Sequence, residues 1–207
     1  MGKLHEVEVH RLHPTQITVG MIEVREKRDE LCGRKGPDLR DFLRAHAVPA
    51  VEGPNDKLYI TDHHHLGRVL SEEGFATGYF LVEEDFSTLA LDRFWTEMDR
   101  HQWVHPYDEN GLRRPFDEIP KHLEHLRDDP FRSLAGYVRN AGGYQKTPEA
   151  FAEFLWADFF RKRISIGSGK EGFETAVHTG VTLAHSDEAK GRPGYIGPVA
   201  AREAQRI

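Results

Sequence analysis

Tyr59-Ile60-Thr61-Asp62-His63-His64-His65-Leu66 joins an apolar extended run to the start of an amphipathic helix, and its reading decides the architecture. Before it, Val48 to Glu52 and Lys57 to Thr61 read as two short strands. Gly53-Pro54-Asn55-Asp56 between them is a turn by composition, so the pair predicts a β-hairpin. After it, Asp62 stands as a natural helix N-cap. Leu66, Val69 and Leu70 supply an apolar face, and Gly74 follows as the stop of a helix running to about Glu73. A strand that delivers the chain to a helix start places unpaired amides and the positive end of the helix dipole where an anion such as phosphate is favoured.

Working outward, the alternation of Val7, Val9 and Leu12 predicts a strand that ends at His13-Pro14, where proline removes an amide and restricts its predecessor. A loop follows, and the segment from Thr15 to Val24 has no clear period. Charges crowd from Arg25 to Arg44, with Leu31, Leu39, Phe42 and Leu43 marking short helices divided by Gly33, Gly36 and Pro37. Gly78 to Glu83 reads as a further strand. From Phe86 onward helix signals replace strand patterns. Ser87 caps a helix carrying Leu89, Leu91, Phe94, Trp95 and Met98, and Asp129-Pro130 opens one that Gly142-Gly143 ends. Thr147-Pro148 repeats the device before Phe151, Phe154, Leu155, Phe159 and Phe160, closing at Arg161-Lys162-Arg163. The expected fold class is α+β, with a small mixed sheet over residues 1–85 and a mainly helical part over 86–207, frayed from Ala200 to Ile207.

The chain has 207 residues, and 28 Lys and Arg against 34 Asp and Glu give a formal net charge of -6. That excludes the simplest nucleic-acid binder, whose affinity comes from phosphate neutralisation. Twelve Phe, three Trp and six Tyr suffice to fill a core. No run approaches the roughly 18 apolar residues of a membrane span, and Met1-Gly2-Lys3-Leu4-His5-Glu6 lacks the apolar stretch of a secretory signal. Cys32 has no partner for an internal disulfide. A cytoplasmic protein with no membrane association is expected.

Chemistry concentrates at Asp62 and the three histidines after it. An imidazole in the first turn of a helix can donate to an anion or move a proton. Asp62 can hold a His tautomer, bind Mg²⁺ or accept a proton from a hydroxyl. The plainer reading is that Asp62 only caps the helix. Consecutive residues on a helix point in different directions, so at most two of the three imidazoles face one site. A transition-metal site is an alternative, with His101 and His105, or Glu174 and His178, spaced four apart, but there is no His-Glu-x-x-His and no Cys pair. Gly167-Ser168-Gly169-Lys170 lacks the Ser or Thr of a phosphate loop and reads as a flexible turn. Trp95, Trp103 and Trp156 read as core.

The order of a strand, His13-Pro14-Thr15-Gln16, charged helices, the hairpin and Asp62-His63-His64-His65 at a helix start resembles the ParB/sulfiredoxin fold. Together with Asp128-Asp129-Pro130-Phe131-Arg132-Ser133-Leu134-Ala135 and Gly142-Gly143-Tyr144 it more closely resembles the ParB-like nucleases. More distantly it is similar to free serine kinases, whose Asp-Gly-His-His-Arg pattern meets Asp62, His64 and His65. Here His63 replaces the glycine, Leu66 the arginine and Gln16 the loop carboxylate, for which Glu23 is the nearest substitute. The Gly-Glu-Arg-Arg motif of partition proteins and the sulfiredoxin cysteine motif are absent.

The resemblance implies an enzyme acting on a nucleotide or other phosphorylated small molecule, by phosphoryl transfer or phosphate-ester hydrolysis. Asp62, His64 and His65 would be catalytic. His13, Thr15, Gln16, Lys27, His63 and Arg68 would contact the ligand or its phosphate, and Asp62 would hold Mg²⁺, with ATP or ADP as the nucleotide. The alternatives are a DNA or RNA nuclease, a non-catalytic nucleotide-sensing module, and a transition-metal enzyme built on the histidines.

Overall fold

The protein, described by a computed structural model over residues 3–198, divides into two compact units, Met1–Asp128 and Asp129–Ile207. The expected fraying of residues 200–207 lies outside the described residues.

Five strands carry the first unit: β1 (Lys3–Glu8), β2 (Leu12–His13), β4 (Val48–Gly53), β5 (Lys57–Ile60) and β6 (Thr77–Asp85). They form a mixed sheet in the order β1-β6-β4-β5-β2. The alternation around Val7 does not make one strand, because a 3-10 turn at Val9–Arg11 separates β1 from β2. β4 and β5 make the expected antiparallel hairpin. Asn55 (φ 62°) and Asp56 (φ 55°) take the left-handed region at its turn, which their short polar side chains tolerate. The unpatterned stretch after His13 holds β3 (Thr18–Val19), which pairs in parallel with β7 (Arg127–Asp128).

Period-two alternation buries both faces of this sheet. On one side Ala50, Leu58, Ile60 and Phe80 meet Val24 of helix α1 (Met21–Cys32), Phe42 and Leu43 of α2 (Gly36–Ala45), and Leu66, Val69 and Leu70 of α3 (His64–Glu72). On the other, Val51 and Tyr59 meet Phe94 and Met98 of α4 (Leu91–Arg100). Phe94 and Met98 are both 0 % exposed, and burying each contributes about 2–3 kcal/mol. α4 starts at Leu91 with Ala90 as its N-cap, not at Ser87, whose amide donates to Asp85 instead. Leu123 and Leu126 join the first core, so the compact unit runs to Asp128 and not to the change of sequence character at residue 85.

The second unit is helical: α5 (Pro130–Asn140), α6 (Ala152–Arg161) and α7 (Gly169–Ala184) enclose Leu134, Val138, Trp156, Phe159 and Phe160. Trp156 is core as expected, stacked on Tyr144 at 4.3 Å with its indole N–H donating to the Pro193 carbonyl at 2.8 Å. Two helix starts differ from expectation. α6 begins at Ala152, after Phe151 in the left-handed region, and not at Thr147-Pro148. Gly169 and Lys170 form the first turn of α7 instead of a loose turn.

Asp129-Pro130 behaves as read. The Asp129 carboxylate accepts the Phe131 amide at 2.9 Å and the Arg161 guanidinium at 2.5 Å while only 1 % exposed, and burial pushes its carboxyl pKa up. We predict that Asp129→Ala, which removes a cap and half of a buried ion pair, lowers stability by about 2–4 kcal/mol in urea titrations.

Candidate functional site

β5 ends at Ile60, and the chain turns within three residues. Thr61 donates its amide to the Pro49 carbonyl at 2.9 Å and its hydroxyl to Glu83 at 3.2 Å, which pins the turn to the sheet. Asp62 is exposed and its carboxylate accepts the His63 amide at 2.6 Å. Asp62 is therefore not the N-cap. That position belongs to His63, in the left-handed region at φ 58°, ψ 32°, whose side chain makes no capping bond. An L-residue costs about 1–2 kcal/mol there.

The three imidazoles then separate. His64 is 2 % exposed and turns inward, where its Nε2 accepts the Thr15 amide at 3.2 Å. The Thr15 hydroxyl lies 3.2 Å from the same nitrogen and donates to the Ile60 carbonyl at 2.8 Å. His65 turns toward α1, where its Nε2 accepts the Gly20 amide at 3.2 Å and lies 3.9 Å from the Glu23 carboxylate. Asp128 accepts the next amide, Met21, at 3.0 Å. In both bonds Nε2 is the acceptor, which places the ring proton of the neutral imidazole on Nδ1. His64 clamps the Thr15 loop to α3, and His65 joins α3 to the start of α1.

Among the expected ligand contacts, Thr15 and Gln16 are buried beside this clamp, with Gln16 bridged to His105. His63 stands at the junction as the N-cap of α3, and the other three lie elsewhere. His13 packs on Tyr59 at 5.3 Å between ring centres and faces His122 at 6.3 Å. Burial first, then the nearby Lys57 and His122, depress its imidazole pKa from 6.5 to about 4, opposed by a hydrogen bond to the Lys121 backbone. Lys27 pairs with Glu30 at 2.6 Å. Arg68 donates to the Leu126 carbonyl at 2.5 Å and to Glu72. Leu66, where the kinase-like pattern carries arginine, is 4 % exposed in the core. The expected cations thus serve the scaffold. Glu23 does reach His65, and Asp128 reaches the neighbouring Met21 amide from a strand over 100 residues further along the chain, which no local spacing signals.

Among the described residues, no three His, Cys, Asp or Glu side chains lie close enough to hold a metal ion, and no helix is long and apolar enough to cross a membrane. His101 and His105, spaced four apart, stack separately on Trp103 and Tyr107.

Two outcomes follow. Replacing His64 by Ala strands the buried Thr15 amide and leaves a void, so it should cost about 2–4 kcal/mol in urea unfolding; unchanged stability with lost function would return His64 to a catalytic role. His13 takes up a proton in the unfolded chain near pH 6.5 but in the folded protein only near pH 4. Its contribution is complete above about pH 6.5 and lost as pH falls toward 4. His13→Gln should remove roughly 1 kcal/mol of the stability difference between pH 7 and 5, a value that allows for partial solvent screening.

Comparison with known proteins bears on this geometry. Among curated proteins, none matches the chain. Protein Atu1540 from Agrobacterium tumefaciens, known from a crystal structure, is 44% identical, with 95% of this chain and 98% of that chain covered and a TM-score of 0.87. Residues 5–162 match the family described as "Putative ParB-like nuclease", a span that takes in the hairpin, the Asp62 junction and α6. The chain therefore belongs to the ParB-like nuclease family.

Proposed function

We propose that the β5–α3 junction binds a phosphate ester of a nucleotide or other phosphorylated small molecule, and that the protein hydrolyses it or transfers its phosphoryl group. The observation that carries this reading is His63 held at φ 58° beside exposed Asp62 at the positive end of α3. Strained backbone persists where surrounding structure over-determines it, and such positions cluster at functional sites. Here the strain sets an imidazole and a carboxylate side by side at a helix end that favours anions.

In this reading Asp62 orients or deprotonates the attacking hydroxyl or water, and the half-buried His63 contacts the phosphate or supplies a proton to the leaving oxygen. His64 and His65 act as positioning residues, fixing the junction against the Thr15 loop and α1. With Leu66 in the core and Arg68 on carbonyl groups, phosphate charge is met by the helix dipole and by Mg²⁺. Asp62 fits Mg²⁺ as a single carboxylate ligand, since that ion usually takes one or two carboxylates together with substrate phosphates. When bound, the ion would neutralise charge developing on the phosphoryl oxygens.

A nuclease reading uses the same residues, and the family description favours it. The net charge of -6 weighs against it, because phosphate contacts in a long polymer require surplus cations. ATP, ADP, nucleoside monophosphates and a short single-stranded oligonucleotide, each with and without Mg²⁺, separate the two by thermal shift and by phosphorus NMR of products. Oligonucleotide cleavage with binding that falls steeply with salt would select the nuclease. Nucleotide binding without turnover would select a sensing module.

With the substrate that turns over, Asp62→Asn should lower turnover by about 100-fold or more and leave the fold unchanged. His63→Gly should raise stability by about 1 kcal/mol through relief of the left-handed strain, while lowering activity. Wild-type turnover in both variants would remove the junction from the chemistry.

A further inference from the structure

At the opposite end of β5 a second site opens. A cavity of about 280 Å³ lies over the sheet beside the 3-10 turn at Val9–Arg11, with Leu58 and Val82 among its apolar lining. Its polar lining includes Arg11, Lys57, Glu6, Glu52 and Asp56. Lys57 and Asp62 are five residues apart along an extended chain, roughly 16 Å, so this cavity and the proposed phosphate junction are separate.

The charged groups around it are not spent on each other. Arg11 donates one Nη2 bond, to the Asp56 backbone carbonyl at 3.2 Å, and a guanidinium carries five N–H donors. Among the described residues neither Arg11 nor Lys57 stands in an ion pair, and neither Glu52 nor Asp56 does. Glu6 accepts the Thr77 hydroxyl at 2.8 Å. Two cations and three carboxylates on one small cavity leave a simple anion facing surplus negative charge, and a simple cation facing Arg11 and Lys57. A ligand carrying both signs at short separation satisfies both sets. The volume sits at the lower limit of small-molecule pockets, which fits a compact solute.

We infer that this cavity is a binding site for a small zwitterion of the free amino-acid type. Arg11 and Lys57 take its carboxylate, Glu52 and Asp56 take its ammonium group, and Leu58 and Val82 face its side chain. Bidentate geometry at Arg11 supplies orientation, since a guanidinium fork matches a carboxylate. The inference does not rest on the phosphate reading of the Asp62 junction.

The test is amide NMR of the full chain titrated with each free L-amino acid, alongside the matching amine without a carboxylate and the matching carboxylic acid without an amine. At least one amino acid is expected to shift the Gly53, Leu58 and Val82 resonances at concentrations up to about 10 mM, where neither matched compound does. Arg11→Met and Glu52→Gln should each weaken that binding by about tenfold or more while melting temperature and the remaining spectrum stay unchanged. Asp62→Asn should leave it intact. The site is overturned if no amino acid moves these resonances, if a matched amine or acid binds as tightly, or if both cavity variants bind as wild type.

Discussion

A buried hydrogen bond from the Thr15 amide to His64 Nε2 organises the first unit. It ties the loop after β2 to the first turn of α3. The Thr15 hydroxyl extends the tie to the Ile60 carbonyl, at the last residue of β5. An amide left without its acceptor in this interior would cost about 1–3 kcal/mol, so the position of the loop and the register of the helix are fixed together. His65 repeats the device one residue later by accepting the Gly20 amide at the start of α1. Two adjacent imidazoles thus hold α3 to the loop on one side and to α1 on the other. This is how a ring at each of two successive positions can be structural, since successive helical side chains diverge by about 100°.

The clamp explains the cost accepted at His63. β5 is locked inside the sheet between β4 and the edge strand β2, and α3 is locked by His64, His65 and the apolar contacts of Leu66, Val69 and Leu70. With both ends fixed, the connecting residues have little freedom, and His63 is held left-handed even though glycine would sit there without penalty. Asp62 and His63 remain outside the packed interior, so the junction divides into an inner pair that holds and an outer pair that meets solvent.

Sheet burial on both faces accounts for the extent of the first unit. Ala50 and Val51 are adjacent in β4 yet belong to different cores, one under α1 and α3, the other under α4. A sheet with only one helical layer would leave Val51 and Tyr59 in water. The 86–128 segment covers them with Phe94, Met98, Val104 and Ile119, which is why it packs with the sheet despite its helical composition.

The hairpin from Val48 to Ile60, the stop of α3 at Gly74 and the capped start of α5 at Asp129 were all legible in the amino-acid order, because each depends on residues within a few positions of one another. The ParB-like character was legible for the same reason: it is carried by a run of motifs along the chain. Other features had no local signal. Thr18 pairs with Arg127, Met21 is capped by Asp128, and His64 finds Thr15 across 49 positions, contacts set by chain topology. The sequence alone determined that Asp62 and three histidines meet at a strand-to-helix turn. Only the tertiary structure decided which of them face the interior, because an imidazole's role follows from whether a buried amide or open solvent stands opposite its nitrogen.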